Sequence, residues 1–75
     1  MKGETMGERL KRLRLAVGLS QAGLARAANI SVYTLMQWEQ DRRLPSWEGA
    51  VALADGLGVS LDELAGRVPP AKKRK

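Results

Sequence analysis

The stretch QAGLARAANIS, from Gln21 to Ser31, constrains the fold more than any other part of this 75-residue sequence. Four of its residues are Ala, the strongest helix former, so it predicts a short and slim helix that begins at Gln21. Asn29 predicts a stop, because Asn adopts the left-handed backbone conformation that ends many helices. Ser31 then caps a second helix. Two helices joined by so tight a turn cross steeply, and their close approach requires a residue as small as Ala25.

The rest of the chain carries helix signals of the same local kind, with no strand pattern. Apolar residues at helical spacing, bounded by Ser caps and Gly stops, predict three further helices. The predicted inward residues are Met6, Leu10, Leu13, Val17, Leu24, Ala25, Ala28, Leu35, Trp38, Trp47, Ala50, Ala54, Leu57, Leu61 and Leu64. We therefore expect an all-α, compact five-helix bundle over residues 6–66. A flexible N-terminus is expected over residues 1–5 and a disordered basic tail over residues 67–75.

The composition argues against several classes of protein. Cys and His are both absent, so we expect no metal site, and the commonest general base is missing. No phosphate-cradling loop is present, and a chain this short does not build a deep pocket; we expect neither an enzyme nor a cofactor or small-molecule ligand. No apolar run approaches the roughly 20 residues that span a bilayer, so we expect no membrane partner.

Positive charge is concentrated at the end of the chain. The formal net charge is +5, but Lys72, Lys73, Arg74 and Lys75 supply most of it, and the rest of the chain is nearly neutral. The high isoelectric point is therefore weak evidence for a nucleic-acid surface on the folded part. Any such surface has to be argued from where individual charges lie.

Several short stretches match one known family when they are taken in order. They are Leu19-Ser20-Gln21, Leu24-Ala25, Ile30-Ser31, Trp38-Glu39, Pro45-Ser46 and the run from Leu57 to Leu64. With them, the sequence resembles the phage-repressor and Cro-type helix-turn-helix proteins, also called Xre-like, from about Met6 to Ala65. The resemblance implies a lambda-repressor-like DNA-binding domain. It also implies a sequence-specific, repressor-like transcriptional regulator that reads the major groove of double-stranded DNA with the helix over residues 32–40.

The resemblance further implies roles for individual residues. It places DNA base contacts at Ser31, Val32, Tyr33, Met36 and Gln37. It places phosphate contacts at Gln21, Gln40, Arg42 and Arg43. Arg14 and Glu39 match a family ion pair that ties the first helix to the recognition helix. The implied working form is a homodimer, at least on DNA, in the cytoplasm and associated with the nucleoid.

Two departures from the family pattern leave an alternative open. Asp41 stands where the family usually has Gly, which puts a negative charge near the expected phosphates. The recognition helix carries Val32, Tyr33 and Met36 where the family often has Arg, Lys or several Gln. Apolar groups do read thymine methyls, and Gln pairs with adenine, so we favour DNA contact. The alternative is a protein-interaction adaptor or antitoxin-type module that uses the same face to bind another protein.

Overall fold

The computed structural model describes residues 3–67, and within that range it is built from five α-helices and no strand. The helices are α1 (Met6–Ala16), α2 (Gln21–Ala28), α3 (Val32–Glu39), α4 (Trp47–Leu57) and α5 (Leu61–Ala65). The expected all-α five-helix bundle is confirmed. Flexibility of residues 1–5 and disorder of the basic tail stay predictions; the tail, apart from Arg67, lies outside the described residues. No helix in this part of the chain is long and apolar enough to cross a membrane.

Each helix begins at a hydroxyl side chain that accepts a hydrogen bond from a backbone N–H in the first turn. The five capping residues are Thr5, Ser20, Ser31, Ser46 and Ser60. At α1 and α5 the cap is reciprocal, because Glu8 and Glu63 bond back to the backbone N–H of the capping residue. A cap of this kind stabilises a helix by about 1 kcal/mol. The starts of all five helices are therefore encoded locally.

The helices also end in one common way. Each helix is followed, one or two positions after its last residue, by a residue with a positive φ. These five residues are Gly18, Asn29, Asp41, Gly58 and Gly66. The N–H of the next residue bonds to a carbonyl five positions back, as in Ile30 to Ala25 and Arg42 to Gln37, both 2.9 Å. This is the Schellman arrangement, which satisfies the last carbonyls of a helix. Gly is its usual left-handed residue, yet α2 and α3 use Asn29 and Asp41.

One Leu from each helix forms the centre of the core. These five fully buried residues are Leu10, Leu24, Leu35, Leu53 and Leu64. Smaller residues let α2 and α4 pack closely beside them: a Cβ added at Gly56 would lie 3.2 Å from Leu24 Cδ1 and 3.3 Å from Ala27 Cβ. Ala25 is 2% exposed, which confirms the predicted inward position. Small residues at these positions therefore allow α2 to pack closely against the neighbouring helices.

Two residues predicted to be inward are instead exposed. Val17 follows the last residue of α1 and precedes the left-handed Gly18, so the chain has turned before it completes the apolar stripe. Trp47 is 70% exposed at the first position of α4. Gly49 takes the inward position there because the indole of Trp38 fills the space; an added Cβ would lie 2.6 Å from Trp38 Cη2. The prediction missed Leu53, which is fully buried.

Candidate nucleic-acid interface

The two sides of α3 differ in what they contact. Leu35 and Trp38 are buried in the core. Ser31, Val32 and Tyr33 are exposed, and Met36 and Gln37 are half-buried. Tyr33 is 69% exposed, which leaves its ring and hydroxyl free to reach a partner. The five residues expected to contact bases therefore lie away from the core, at the start and along the outer side of one helix.

The loop after α3 supplies positive charge next to this outer side. Gln40, Arg42 and Arg43 are all exposed. Over residues 3–67 neither Arg42 nor Arg43 takes part in an ion pair. Both guanidinium groups are therefore available to an external anion. An open cleft of about 310 Å³ separates α3 from the loop and is lined by Tyr33, Thr34, Gln37, Trp38, Arg43, Leu44 and Ser46.

A buried ion pair fixes α3 to α1. Arg14 Nε lies 2.6 Å from Glu39 Oε2, and Arg14 Nη2 donates to Glu39 Oε1 at 3.2 Å. The two side chains are only 8% and 4% exposed. Arg14 also donates to the carbonyl of Leu19, at 2.9 Å. This two-pronged geometry sets the position of the C-terminal end of α3, just before the loop that carries the free arginines.

Gln21 joins the same network. Its Nε2 donates to Glu39 Oε1 at 3.2 Å, and the residue is half-buried. The resemblance assigns Gln21 to a phosphate, and the structure gives its amide a partner on α3. Glu39 is thus bonded from α1 and from α2, and the end of α3 is held by both helices that precede it.

The sequence did not indicate where the Asp41 carboxylate lies. It is bonded to the first turn of α1: Thr5 Oγ1 donates to Oδ2 at 2.6 Å, and the Gly7 N–H donates to Oδ1 at 2.8 Å. The Thr5 hydroxyl and then the Gly7 N–H hold the pKa of this carboxyl below its usual value. A helix N-terminus also stabilises negative charge. The carboxylate is therefore bound to α1, whereas the sequence suggested a free charge beside the expected phosphates.

Gly7 allows this close approach. A Cβ at Gly7 would lie 2.7 Å from the carbonyl oxygen of Trp38 and 2.8 Å from Asp41 Oδ1, and closer still to the carbonyl oxygen of Glu39. The backbone of α1 therefore packs directly on the last turn of α3. Nothing in the sequence marks this contact except a glycine in the first turn of a helix.

A second exposed surface lies on the far side of the loop. Leu44 is 76% exposed and stands near the exposed Trp47 at an open groove of about 600 Å³. Other apolar residues that line the groove are Met6, Pro45, Ala50, Leu61 and Leu64. An apolar surface of this kind beside polar residues is typical of a protein–protein contact.

Two features of the structure are typical of a known motif. Two short helices are joined by a tight turn at Asn29, and the second of them exposes one side to solvent. A family model described as a helix-turn-helix domain matches residues 5–66. The chain belongs to the helix-turn-helix family. The match covers most of the chain, including all five helices, and the predicted resemblance to the phage-repressor and Cro-type branch is confirmed.

Relatives within the helix-turn-helix family are regulators and repressors by name. The HTH-type transcriptional regulator YazB of Bacillus subtilis (strain 168), itself described as uncharacterised, is 42% identical over 72 residues, which are 96% of this chain and 100% of YazB. The cryptic phage CTXphi transcriptional repressor RstR of Vibrio cholerae is 40% identical over 60 residues, which are 80% of this chain and 54% of RstR. The chain therefore spans about half the length of that repressor.

A solved helix-turn-helix structure with DNA shares the fold. The crystal structure of the P22 c2 repressor in complex with the synthetic operator 9T superposes with a TM-score of 0.77 at 32% sequence identity. The superposition covers 83% of this chain and 94% of the repressor chain. The likeness therefore extends over most of both chains.

Proposed function

We propose that this protein is a repressor-like transcriptional regulator that binds double-stranded DNA with α3 in the major groove. The observation that carries the proposal is the placement of α3. Its outer side presents Tyr33 and Gln37, and the adjoining loop presents Arg42 and Arg43 with no ion pair in the described part of the chain. The named regulators and the operator complex among its relatives support the same function.

The residues divide by the kind of contact they make. Gln37 has an amide that bonds two atoms of an adenine edge, and Val32 and Met36 are suited to thymine methyls. Tyr33 is long and exposed enough to reach a base edge. The guanidinium groups of Arg42 and Arg43 suit phosphates, which position the domain without reading sequence. Such a protein acts by binding and not by catalysis, in the cytoplasm at the nucleoid.

Substituting one residue of each kind tests this division. Arg42→Ala is expected to weaken binding to all duplexes alike and to lower the salt slope of log K by about one. Gln37→Ala is expected to cost about 1–3 kcal/mol on the preferred site and little on random DNA. Fluorescence anisotropy with a site selected from a random pool, at several salt concentrations, measures both effects.

The same titrations distinguish DNA binding from the alternative, in which the protein is an adaptor that binds another protein. Phosphate contacts make affinity fall steeply with salt, whereas an apolar protein interface does not. If Gln37→Ala and Arg42→Ala lower specific and random binding in the same ratio, α3 does not read bases. In that case the outer side of α3, with Val32, Tyr33 and Met36, is better described as a protein-binding surface.

We also propose that the protein binds DNA as a homodimer. One recognition helix contacts only a few base pairs, and two copies placed about 34 Å apart read a near-palindrome. The exposed Leu44 and Trp47 at the open groove give the second copy an apolar surface to contact. Trp47→Glu is expected to leave binding to a single half-site unchanged and to weaken binding to the full site by at least about tenfold.

Native mass spectrometry of the same complexes gives the stoichiometry directly. Two protein chains per full site in the wild type, and mostly one in Trp47→Glu, is the expected result. A selected site without two-fold symmetry, occupied by one chain, would contradict the dimer and leave the DNA-binding proposal intact.

A further inference from the structure

Asp41 combines two features that occur together at no other helix end in the described residues. It is a non-Gly residue with φ +61°, a conformation that is strained for most L-residues. Its side chain also leaves the loop and bonds to a distant helix, at Thr5 and Gly7. Asn29, the other non-Gly residue at such a position, makes no side-chain hydrogen bond within residues 3–67 and ends α2 by its backbone.

The loop containing the free arginines starts from this anchored residue. The Asp41 N–H bonds to the Trp38 carbonyl at 3.2 Å, and the Arg42 N–H bonds to the Gln37 carbonyl at 2.9 Å. The side chain of Asp41 then ties the same point to α1. Arg42 and Arg43 therefore leave the end of α3 from a backbone held on two sides, by α3 itself and by α1.

We propose that Asp41 is a positioning residue for phosphate binding. Its carboxylate fastens the loop after α3 to the first turn of α1 and thereby holds Arg42 and Arg43 beside the outer side of α3. The inference rests on the proposed DNA-binding function. It reverses the expectation from charge alone, by which a carboxylate next to phosphate contacts weakens binding and its removal strengthens it.

The carboxylate has a compensating environment that supports this role. Both of its oxygens accept a hydrogen bond, and both donors belong to the start of α1, where the partial positive charge of the helix lies. The carboxylate stays exposed and charged, and these two donors and the start of α1 partly offset its negative charge. What reaches the DNA side of the loop is the pair of free arginines.

Two substitutions separate anchoring from charge. Asp41→Gly and Asp41→Asn both remove one negative charge, so their general electrostatic effects on DNA binding match. The Asn side chain can accept from the Gly7 N–H and donate to the Thr5 hydroxyl, and Asn tolerates the left-handed conformation. Gly keeps that conformation without strain but has no side chain to reach α1. Both variants are expected to fold, and circular dichroism melting verifies this.

The expected result is that the Asn variant binds the selected site as tightly as the wild type or more tightly. The Gly variant is expected to bind about tenfold more weakly than the Asn variant. The reason is that one charge-assisted contact between a loop arginine and a phosphate is no longer held in place. Its salt slope is expected to be smaller by about one. A purely structural role would change the melting temperature and would not change the salt slope of the folded protein.

NMR on the protein without DNA tests whether the Asp41 side chain is bonded to the first turn of α1, a contact that we call the Asp41 anchor. In the wild type the amide proton of Gly7 is expected to shift on acidification with a midpoint below the usual pKa of an Asp carboxyl, since its acceptor is the Asp41 carboxylate, whose pKa is lowered by the Thr5 hydroxyl and the Gly7 N–H. In Asp41→Asn that titration is expected to vanish, because the amide side chain does not ionise. In Asp41→Gly the Gly7 amide is expected to exchange faster with solvent, and Arg42 and Arg43 to show lower backbone order parameters.

The outcomes are distinguishable. Equal affinity and equal salt slope for the Gly and Asn variants, or tighter binding by the Gly variant, overturns the positioning role while the proposed function stands. A Gly7 amide that does not respond to the Asp41 substitutions overturns the anchor. A wild-type protein that binds no duplex in a salt-dependent way overturns the proposed function and this inference with it.

Discussion

Glu39→Ala is expected to lower the free energy of unfolding by about 3–5 kcal/mol. The substitution leaves Arg14, 6% exposed, as a buried guanidinium without its carboxylate partner. It also removes the acceptor of the Gln21 amide, so three helices lose a common contact. Domains have total stabilities of only about 5–15 kcal/mol, so this loss is a large share of the total. Urea denaturation followed by circular dichroism measures it.

Two controls show that the effect belongs to the pair. Glu48→Ala removes an exposed carboxylate from the first turn of α4 and is expected to change stability by less than about 1 kcal/mol. The double substitution Arg14→Met with Glu39→Leu is expected to recover most of the stability, because it leaves no buried charge unpaired. A loss below about 1 kcal/mol for Glu39→Ala would mean that water reaches the pair.

Gly7→Ala is expected to destabilise the protein by about 2–3 kcal/mol, although Ala is the better helix former by about 1 kcal/mol. The added Cβ would lie 2.7 Å from the Trp38 carbonyl oxygen, and backbone cannot move aside as a flexible side chain can. Relief requires α1 to move away from the end of α3, which breaks the Asp41 anchor. Thermal melting measures the loss.

Gly23→Ala is the matched control, since Gly23 is also in the first turn of a helix. A Cβ there would lie 3.2 Å from Ser20 Oγ and 3.4 Å from Leu19 Cδ2, both side-chain atoms that can adjust. We expect this variant to be as stable as the wild type or slightly more stable. If the two variants melt at the same temperature, α1 and α3 are not in backbone contact.

Local signals predicted the helices well because they involve neighbouring residues only. A Ser or Thr cap bonds within one turn, and a left-handed residue closes a helix through its own backbone, so both can be recognised without knowing the fold. Asn29 and Ser31 correctly placed the turn between α2 and α3. Periodicity identified Leu10, Leu24, Leu35 and Leu64 as core residues.

The sequence-based predictions were wrong or incomplete where contacts between residues far apart in the sequence determine the position of a side chain. Trp47 has the spacing of an inward residue, but the ring of Trp38 already occupies the place, and Gly49 faces it. A glycine carries no apolar signal, so neither Gly49 nor Gly7 was recognised as a contact point. The Asp41 carboxylate could not be located either, because its partner Thr5 lies 36 positions away in the sequence.

The site was predicted as a set of residues and not as an arrangement. The resemblance named Arg14, Glu39 and the residues of α3, and the structure joins Arg14 to Glu39 at the last residue of α3. The structure adds the hydrogen-bond and ion-pair partners of the individual side chains. Gln21 donates a hydrogen bond to Glu39, and Asp41 accepts one from the first turn of α1. Arg42 and Arg43 make no ion pair in the described part of the chain.

The separation of the two sides of α3 also bears on how such proteins diverge. Leu35 and Trp38 hold the helix in the core, whereas Val32, Tyr33 and Met36 contribute little to it. Surface substitutions of this kind usually change stability by less than about 0.5 kcal/mol. Under the proposed DNA-binding function, descendants of this chain can exchange the outer residues one at a time and acquire new DNA preferences without passing through variants that fail to fold. In that case selection for DNA recognition and selection for folding act on different residues of the same eight-residue helix.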